Sequence, residues 1–590
     1  MKNTWDLSLL YKDEEEFEKD FVYIKDTIIP QFSLLAGKLN ETENLKKYLL
    51  LEREATPIIS RLGMYCSMKS DLDKKDSKSD ILLQRVDSLY SQLIEKTSYY
   101  QPEILSLGKE KIDSFLKDNP EFSDFDYTFE KLFNSQKYVL AKTEEQLLSY
   151  FTSLQQSGSS LYSKLTVADY IPKTIKLSNN REVEVNMANW TKLISESDNE
   201  EDREKIFLSL YSYYDEHKNV YAEIYNSVLQ SQKAEMKARG YKSILQEHLS
   251  SNKIPEEVFL NLIDVASKEN HSLKKYFQLK KEHLNLSKYH TYDRFLHLAK
   301  SQKKYTYDEA KELFYKSIDH LPEDFKNKAR EATREGYVDV YHKLGKRTGA
   351  YSNGGYDIHP FILLNFNDTL EDVFTLAHEA GHSIHTLYSI ESQPIVKQDY
   401  TIFVAEIAST FNEHNLLDYL MKSGTLSKED KIALLEKAID EVASTFYRQA
   451  LFAHYEYNIS NLAIENKPIN HQILSDEMKK LYQMYYGLDI EDEKLKKLVW
   501  AYIPHLFYTP FYVYQYATSF TASMLIYQNV KKGLPGAFDK YINMLRSGGK
   551  TYPINEVKEA GVDLTRRDTF MSVVNYIDDL VSQLENLLND

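Results

Sequence analysis

His378-Glu379-Ala380-Gly381-His382 decides the reading of this chain. On a helix, positions i and i+4 share a face about 6 Å apart along the axis, so both imidazoles can reach one ion. The glutamate between them is placed to act as a general base on water held by that ion. His-Glu-x-x-His is therefore a candidate catalytic zinc site, provided that its surroundings are helical.

Working outward, the surroundings predict a helix. Phe361-Ile362-Leu363-Leu364-Asn365-Phe366 is a short apolar run with strand character, and Asn367-Asp368 follows as a turn. Thr369 with Asp372 three residues later resembles a capping box. Leu370, Val373, Phe374, Ala377, Gly381, Ile384 and Tyr388 then recur at helical spacing, predicting an amphipathic helix over 370–389. Upstream, Ala350 to Tyr356 predicts a second strand, and an exposed edge there would align an extended peptide by main-chain hydrogen bonds. Gly354 and Gly355 in that segment are candidate substrate-binding positions, where backbone approaches closely or a loop moves; an ordinary turn is the alternative.

A catalytic zinc site takes three protein ligands and leaves one position for water. His385 falls on nearly the same stripe of the helix as His378 and His382, but three ligands stacked on one straight axis approach an ion almost in line. His385 is better suited to orienting a neighbour or meeting substrate, and a role as alternative ligand stays open. Glu406 is the better third ligand. It lies in Tyr400 to Glu413, which reads as a helix, and its apolar setting makes a lone carboxylate costly unless paired or metal-bound. Glu413, two turns on, can support a ligand from behind.

With these residues in place, the chain resembles the thimet oligopeptidase family of zinc metallopeptidases, in particular its bacterial oligoendopeptidase F branch. The resemblance rests on His378 to His385, Phe403-Val404-Ala405-Glu406, Tyr356-Asp357, Leu363 to Phe366, Thr369 to Ala377 and the opening Trp5-Asp6-Leu7. It implies one Zn2+ per chain held by His378, His382 and Glu406, with Glu379 as base. It also implies a mainly α fold, a large two-lobed helical zincin-type metallopeptidase with a deep channel. A metzincin would need Gly and His where this chain has His385 and Tyr388, and the Gly-x-Met-Glu-Asn signature of one aminopeptidase family is absent.

Leu498 to Val530 contains no Asp, Glu, Lys or Arg. Length would permit a membrane span, but Pro504, Pro510 and many Tyr, Thr, Ser and Gln residues make it unfit for lipid. Such a run fits the polar lining of a cleft, with Tyr508 a candidate for substrate contact. In the resembled family a histidine and tyrosines from this region stabilise the transition state. That carries over to His505 and Tyr512 as catalytic donors, with Tyr516 assisting at the substrate. The Tyr-x-x-Gln-Tyr element is present as Tyr512 to Tyr516, while the spacing from His505 to Tyr512 departs from the mammalian branch.

At 590 residues the chain exceeds the usual single-domain size. A net charge of −16 argues against a nucleic-acid partner, which needs a basic face. Cys66 is the single cysteine, so no intrachain disulfide can form. With no leader-like opening and no lipid-compatible span, a cytoplasmic enzyme without a membrane partner is expected. Scarce Gly and Pro predict a mostly helical protein. Lys173 to Leu177 and Arg181 to Val185, alternating about Ser178-Asn179-Asn180, predict a β-hairpin near 173–185. The acidic run Asp198 to Glu204 predicts a solvated helix start. A boundary is expected near 190, dividing a helical N-terminal lobe with the hairpin (1–190) from a catalytic domain (191–590). The expected function is endopeptidase action on short, unstructured oligopeptides, by a monomer or small homo-oligomer. A zinc carboxypeptidase and a non-catalytic peptide binder are the alternatives.

Overall fold

In the computed structural model, which describes residues 3–299, 303–424 and 426–589, strand is confined to two small sheets among the described residues. The rest of the ordered backbone is almost all helix, as the mainly α expectation requires.

The expected hairpin forms from strands β1 (Lys173–Lys176) and β2 (Glu182–Val185), antiparallel with Lys173 opposite Val185. Asn180 takes a φ of 65° in its turn, a conformation that asparagine tolerates. The acidic run does open a helix, Glu200–Glu216, capped by Asn199. One of its acids is not solvated, however: Asp202 is buried and accepts hydrogen bonds from the Ser178 amide (2.8 Å) and hydroxyl (2.6 Å), tying the hairpin turn to the helix.

The second sheet comprises β3 (Val338–Tyr341), β4 (Tyr351–Gly355) and β5 (Ile358–Phe366), in the order β3-β5-β4. Central β5 runs parallel to β3 and antiparallel to β4, so β4 is an edge strand. Tyr356 and Asp357 join β4 to β5 with φ of 52° and 64°, the twist that a tight hairpin requires. β5 is buried along most of its length, as its unbroken apolar run demands. The indole of Trp5 donates to the Ile362 carbonyl in that strand (2.7 Å).

Helix α1 (Leu370–Ser392) starts where the capping box predicts. Thr369 accepts from the Asp372 amide (3.2 Å), and Asp372 accepts from the Thr369 amide (2.9 Å). Helix α2 (Ile402–Lys422) packs along it.

The backbone divides into two compact units, each built from three stretches of chain. The first holds Met1–Lys137, Gln302–Ser423 and Ser523–Val562; the second holds Tyr138–Ser301, Gly424–Ala522 and Asp563–Asp590. The boundary expected near 190 falls inside the second unit, and the N-terminal helices share a unit with α1 and α2. In the first unit Phe17, Ile24, Leu49 and Leu62 from the N-terminal helices are buried in one apolar core with Phe361 and Leu363 of β5. Cys66 is buried there as a free thiol.

The second unit contains the hairpin, helices α3 (Arg448–Ile464), α4 (His471–Tyr486) and α5 (His505–Tyr508), and the start of α6 (Tyr514–Lys531). The uncharged stretch is broken as its prolines predict. A four-residue helix ends at Tyr502, α5 follows Pro504, and Phe511 takes a left-handed φ of 53° before α6. Among the described residues no helix is long and apolar enough to cross a membrane.

Candidate active site

α1 and α2 come close enough to share a ligand set because Gly381 has no side chain. A Cβ there would stand 2.5 Å from the Ala408 carbonyl oxygen and 2.7 Å from Ser409 Cα, both on α2. The contact brings Glu406 over the histidines of α1. His378 Nε2 and His382 Nε2 lie 3.2 Å apart, and Glu406 Oε2 lies 3.4 and 3.6 Å from them. Ligand atoms bound at about 2.0–2.1 Å in a tetrahedron stand about 3.3 Å apart, so these separations match a four-coordinate ion. Among the described residues no other group of three potential metal ligands converges in this way.

The surroundings prepare the donors for a cation. Glu413 Oε1 lies 2.5 Å from His378 Nδ1, so that nitrogen carries the proton and Nε2 presents its lone pair toward His382 and Glu406. Two such lone pairs and a carboxylate oxygen repel one another unless positive charge lies among them. Burial opposes a charged imidazole at His378, but Glu406 and Glu413 outweigh it and raise its pKa. Burial and the charge on His378 together lower that of His382. Burial also works against an ionised Glu406, yet the adjacent histidines hold its carboxyl down to about 2. Ser409 Oγ donates to the same Glu406 oxygen (3.0 Å). The donor set fits a divalent metal.

These groups line a cleft of about 420 Å³. Its opposite wall is the edge strand β4, with Ser352, Gly354 and Gly355, together with Tyr356 of the turn. Glu379 is buried at 6% exposure, and burial pushes its carboxyl up to about 7 despite nearby His378. The Ser352 amide faces the Glu379 carboxyl and works against its upward shift, and the Ser352 and Ser383 hydroxyls meet at 2.8 Å, so the edge strand is anchored to α1 beside the candidate base. Gly354 is required by close approach: a Cβ would stand 2.5 Å from Pro360 Cα in β5. Gly355 has a φ of +121° that other residues rarely adopt.

His385 is not among the converging ligands. It is buried and stacks on Tyr400 with centroids 3.6 Å apart, and neither ring nitrogen has a hydrogen-bond partner. Burial lowers its pKa to about 3, so the ring is neutral. Tyr400 in turn bonds Thr386 (2.8 Å) and reaches the His382 carbonyl (3.5 Å). Sequence reasoning assigned nothing to Tyr400, Ser352 or Asp399 in this cleft, because each gains its place from a partner remote in the chain.

Within the second unit, His505 lies parallel to Tyr512 (centroids 6.0 Å) and edge-on to Tyr516 (6.2 Å), and the two tyrosines are 5.5 Å apart. Burial lowers the His505 pKa, favouring a neutral ring. Tyr508 is exposed and meets Tyr162 edge-on. The Phe511 amide donates to buried Glu456 (2.9 Å), which holds the turn that leads into Tyr512.

Comparison with known proteins gives this arrangement a lineage. The pattern of peptidase family M3 matches residues 193–575, and that of oligopeptidase F matches residues 103–170. Oligopeptidase PepF of Bacillus subtilis is 33% identical over 590 residues, covering 100% of this chain and 87% of that protein. A crystallised Chlamydophila abortus protein superposes with a TM-score of 0.90 at 31% identity, covering 99% of this chain and 98% of that one. Oligoendopeptidase-F from Enterococcus faecium superposes with a TM-score of 0.76 at 26% identity, over 98% of this chain and 99% of its own. Both the sequence along its full length and the fold around the two histidines thus lead to one conclusion: the chain belongs to peptidase family M3.

Proposed function

We propose that the chain is a zinc endopeptidase that cuts internal bonds of short, unstructured oligopeptides. The observation that carries this reading is the convergence of His378, His382 and Glu406 in one cleft with Glu379 and an edge strand. His378, His382 and Glu406 would hold Zn2+, which supplies Lewis acidity, activating water near neutral pH and polarising the carbonyl under attack.

The protein's own groups do the rest. β4 offers an unpaired main-chain edge along which an extended peptide can add as a further strand. Only a chain free of its own structure can present such a strand, hence the preference for unfolded peptides. Gly354 and Gly355 leave their own stretch of that wall without side chains. Glu379, with a pKa near 7, accepts a proton from the attacking water at a carboxylate oxygen and returns it to the departing amine nitrogen. Glu413 fixes the His378 tautomer, and His385 fixes Tyr400 by stacking. His505 and Tyr512 donate to the developing oxyanion, with Tyr516 and Tyr508 meeting substrate; their roles rest on the family pattern, supported by the clustering of His505, Tyr512 and Tyr516. A reducing, cytoplasmic setting accords with the free, buried Cys66.

The test combines one variant with one substrate. Glu379→Gln is expected to retain zinc by metal analysis while turnover of a quenched fluorescent peptide falls by roughly two or more orders of magnitude. The wild type should cut a peptide blocked at both ends, with fragments read by mass spectrometry. An intact blocked peptide would point to an exopeptidase instead, and near-normal turnover by the variant would remove Glu379 from the reaction.

A further inference from the structure

The second unit holds three cations that lack the partners its other buried cations have. Arg203 pairs with Asp293 at 2.9 Å, and Lys280 pairs with Glu436 at 2.9 Å. Lys496 is as deeply placed, at 4% exposure, yet no carboxylate or carbonyl accepts from its ammonium among the described residues. Its Nζ instead stands 5.4 Å from the ring of Tyr211, 5.6 Å from Tyr482 and 5.9 Å from Phe207. Burial, with the Arg294 and Arg448 guanidiniums adding to it, pushes the pKa of this amine well below the ordinary lysine value; both guanidiniums lie half-buried over Phe295 and Phe452, and likewise donate to no oxygen among the described residues.

The cluster sets two guanidiniums and one carboxylate against Lys496. Its nearest acid is Glu493, one turn before Lys496, whose carboxylate oxygens are taken by the Thr291 amide (2.8 Å) and hydroxyl (2.5 Å). No carboxylate ranks among the leading influences on Arg294; Arg448 and the phenols of Tyr482, Tyr486 and Tyr211 do. Burial, with Arg448 adding to it, holds Arg294 below its ordinary pKa. An unpaired buried charge costs several kcal/mol, so native proteins pair such groups or bind a counter-ion. Tyr482 and Tyr486, with rings 5.3 Å apart, bring phenol donors to the same place.

We propose that Arg294, Arg448 and Lys496, with the phenols of Tyr482 and Tyr486, form a binding site for one small anion. Its chemistry is that of a halide, an inorganic oxyanion or a carboxylate: compact, singly or doubly charged, and satisfied by convergent N–H and O–H donors. The site is independent of the peptidase reading, since no residue of the candidate metal centre takes part in it.

The test is a thermal-unfolding titration of the zinc-loaded protein with chloride, phosphate or acetate, at constant ionic strength with bulky gluconate as the balancing anion. A saturable rise in Tm with at least one of the three is expected, and the salt that produces it identifies halide, oxyanion or carboxylate. Lys496→Met and Arg448→Met should unfold no lower than wild type in gluconate, having lost a buried or half-buried basic group that no oxygen of the described residues accepts from, and should show no saturable rise. Should either fail to fold, Tyr482→Phe keeps every charge and should weaken the apparent anion affinity by about fivefold, the contribution of one hydrogen bond. A wild type that responds to none of the three salts overturns the site, as do variants that respond as wild type does.

Discussion

Gly381 lies against the backbone of Ser409, so closely that a methyl group at 381 would stand 2.7 Å from Ser409 Cα. The obstructing atoms are helix backbone rather than a side chain that can swing aside. Gly381→Ala must therefore move α1 and α2 apart, carrying Glu406 away from His378 and His382. Expected are a stability loss of about 1–3 kcal/mol from overpacking and a zinc affinity lower by about tenfold or more. Chelator competition and urea unfolding measure the two. Wild-type zinc affinity in this variant would show that the helix spacing does not govern the centre.

Glu413 reaches the candidate metal centre through His378, whose Nδ1 it meets at 2.5 Å. Glu413→Ala should lower zinc affinity by about 10–100-fold. Glu413→Gln, which keeps an acceptor for the same N–H, should recover part of the loss. Equal losses in both variants would mean that charge rather than orientation is what Glu413 supplies.

Gly354→Ala separates substrate alignment from metal binding. The added Cβ would stand 2.5 Å from Pro360 Cα and 2.8 Å from Pro360 N, prising β4 from β5. Displacing the edge by as little as an ångström should reduce kcat/KM by about 100-fold while bound zinc stays stoichiometric. Peptide kinetics alongside metal analysis decides; loss of zinc would mean that the strand supports the centre itself.

These outcomes differ because the fold and the site were legible to different depths. Thr369 and Asp372 announced the start of α1, and its apolar repeat ran through both histidines, because capping and periodicity are local physics. Glu406 stood out as a carboxylate in an apolar helix, a cost that only a partner could offset. In the sequence Gly381 is one more small residue on the buried stripe; its real constraint comes from the Ala408 carbonyl, 27 positions downstream. The same holds for the Ser352 amide facing Glu379 and for Tyr400 stacking on His385. Nor does the expected boundary at 190 coincide with the compact units, since each unit is assembled from three separated stretches. Composition registers no linker at such passages.

Glu456 offers a pH signature. Its carboxyl is buried, one oxygen accepts from the Phe511 amide and the other has no partner, and burial raises its pKa to about 8. The folded state therefore holds this proton more tightly than the unfolded chain, where the group titrates near 4.5. Its contribution is complete below about 4.5 and is lost as pH rises through about 8. Glu456→Gln mimics the protonated form. Its urea midpoint should match wild type near pH 5 and exceed it progressively toward pH 9, by the equivalent of a few kcal/mol at most. A difference independent of pH would show that Glu456 ionises freely in the fold.

The bond from the Trp5 indole to Ile362 spans 357 positions. During synthesis the opening residues must wait for β5, and the unit they belong to also needs Ser523–Val562. At about 5–20 residues per second, roughly half a minute to two minutes passes between the ribosome's first and last contribution to that unit. The nascent N-terminal helices can bury much of their apolar surface against one another, but the faces that meet Phe361 and Leu363 stay uncovered until β5 is made, so the order of synthesis leaves that part of the core to close last.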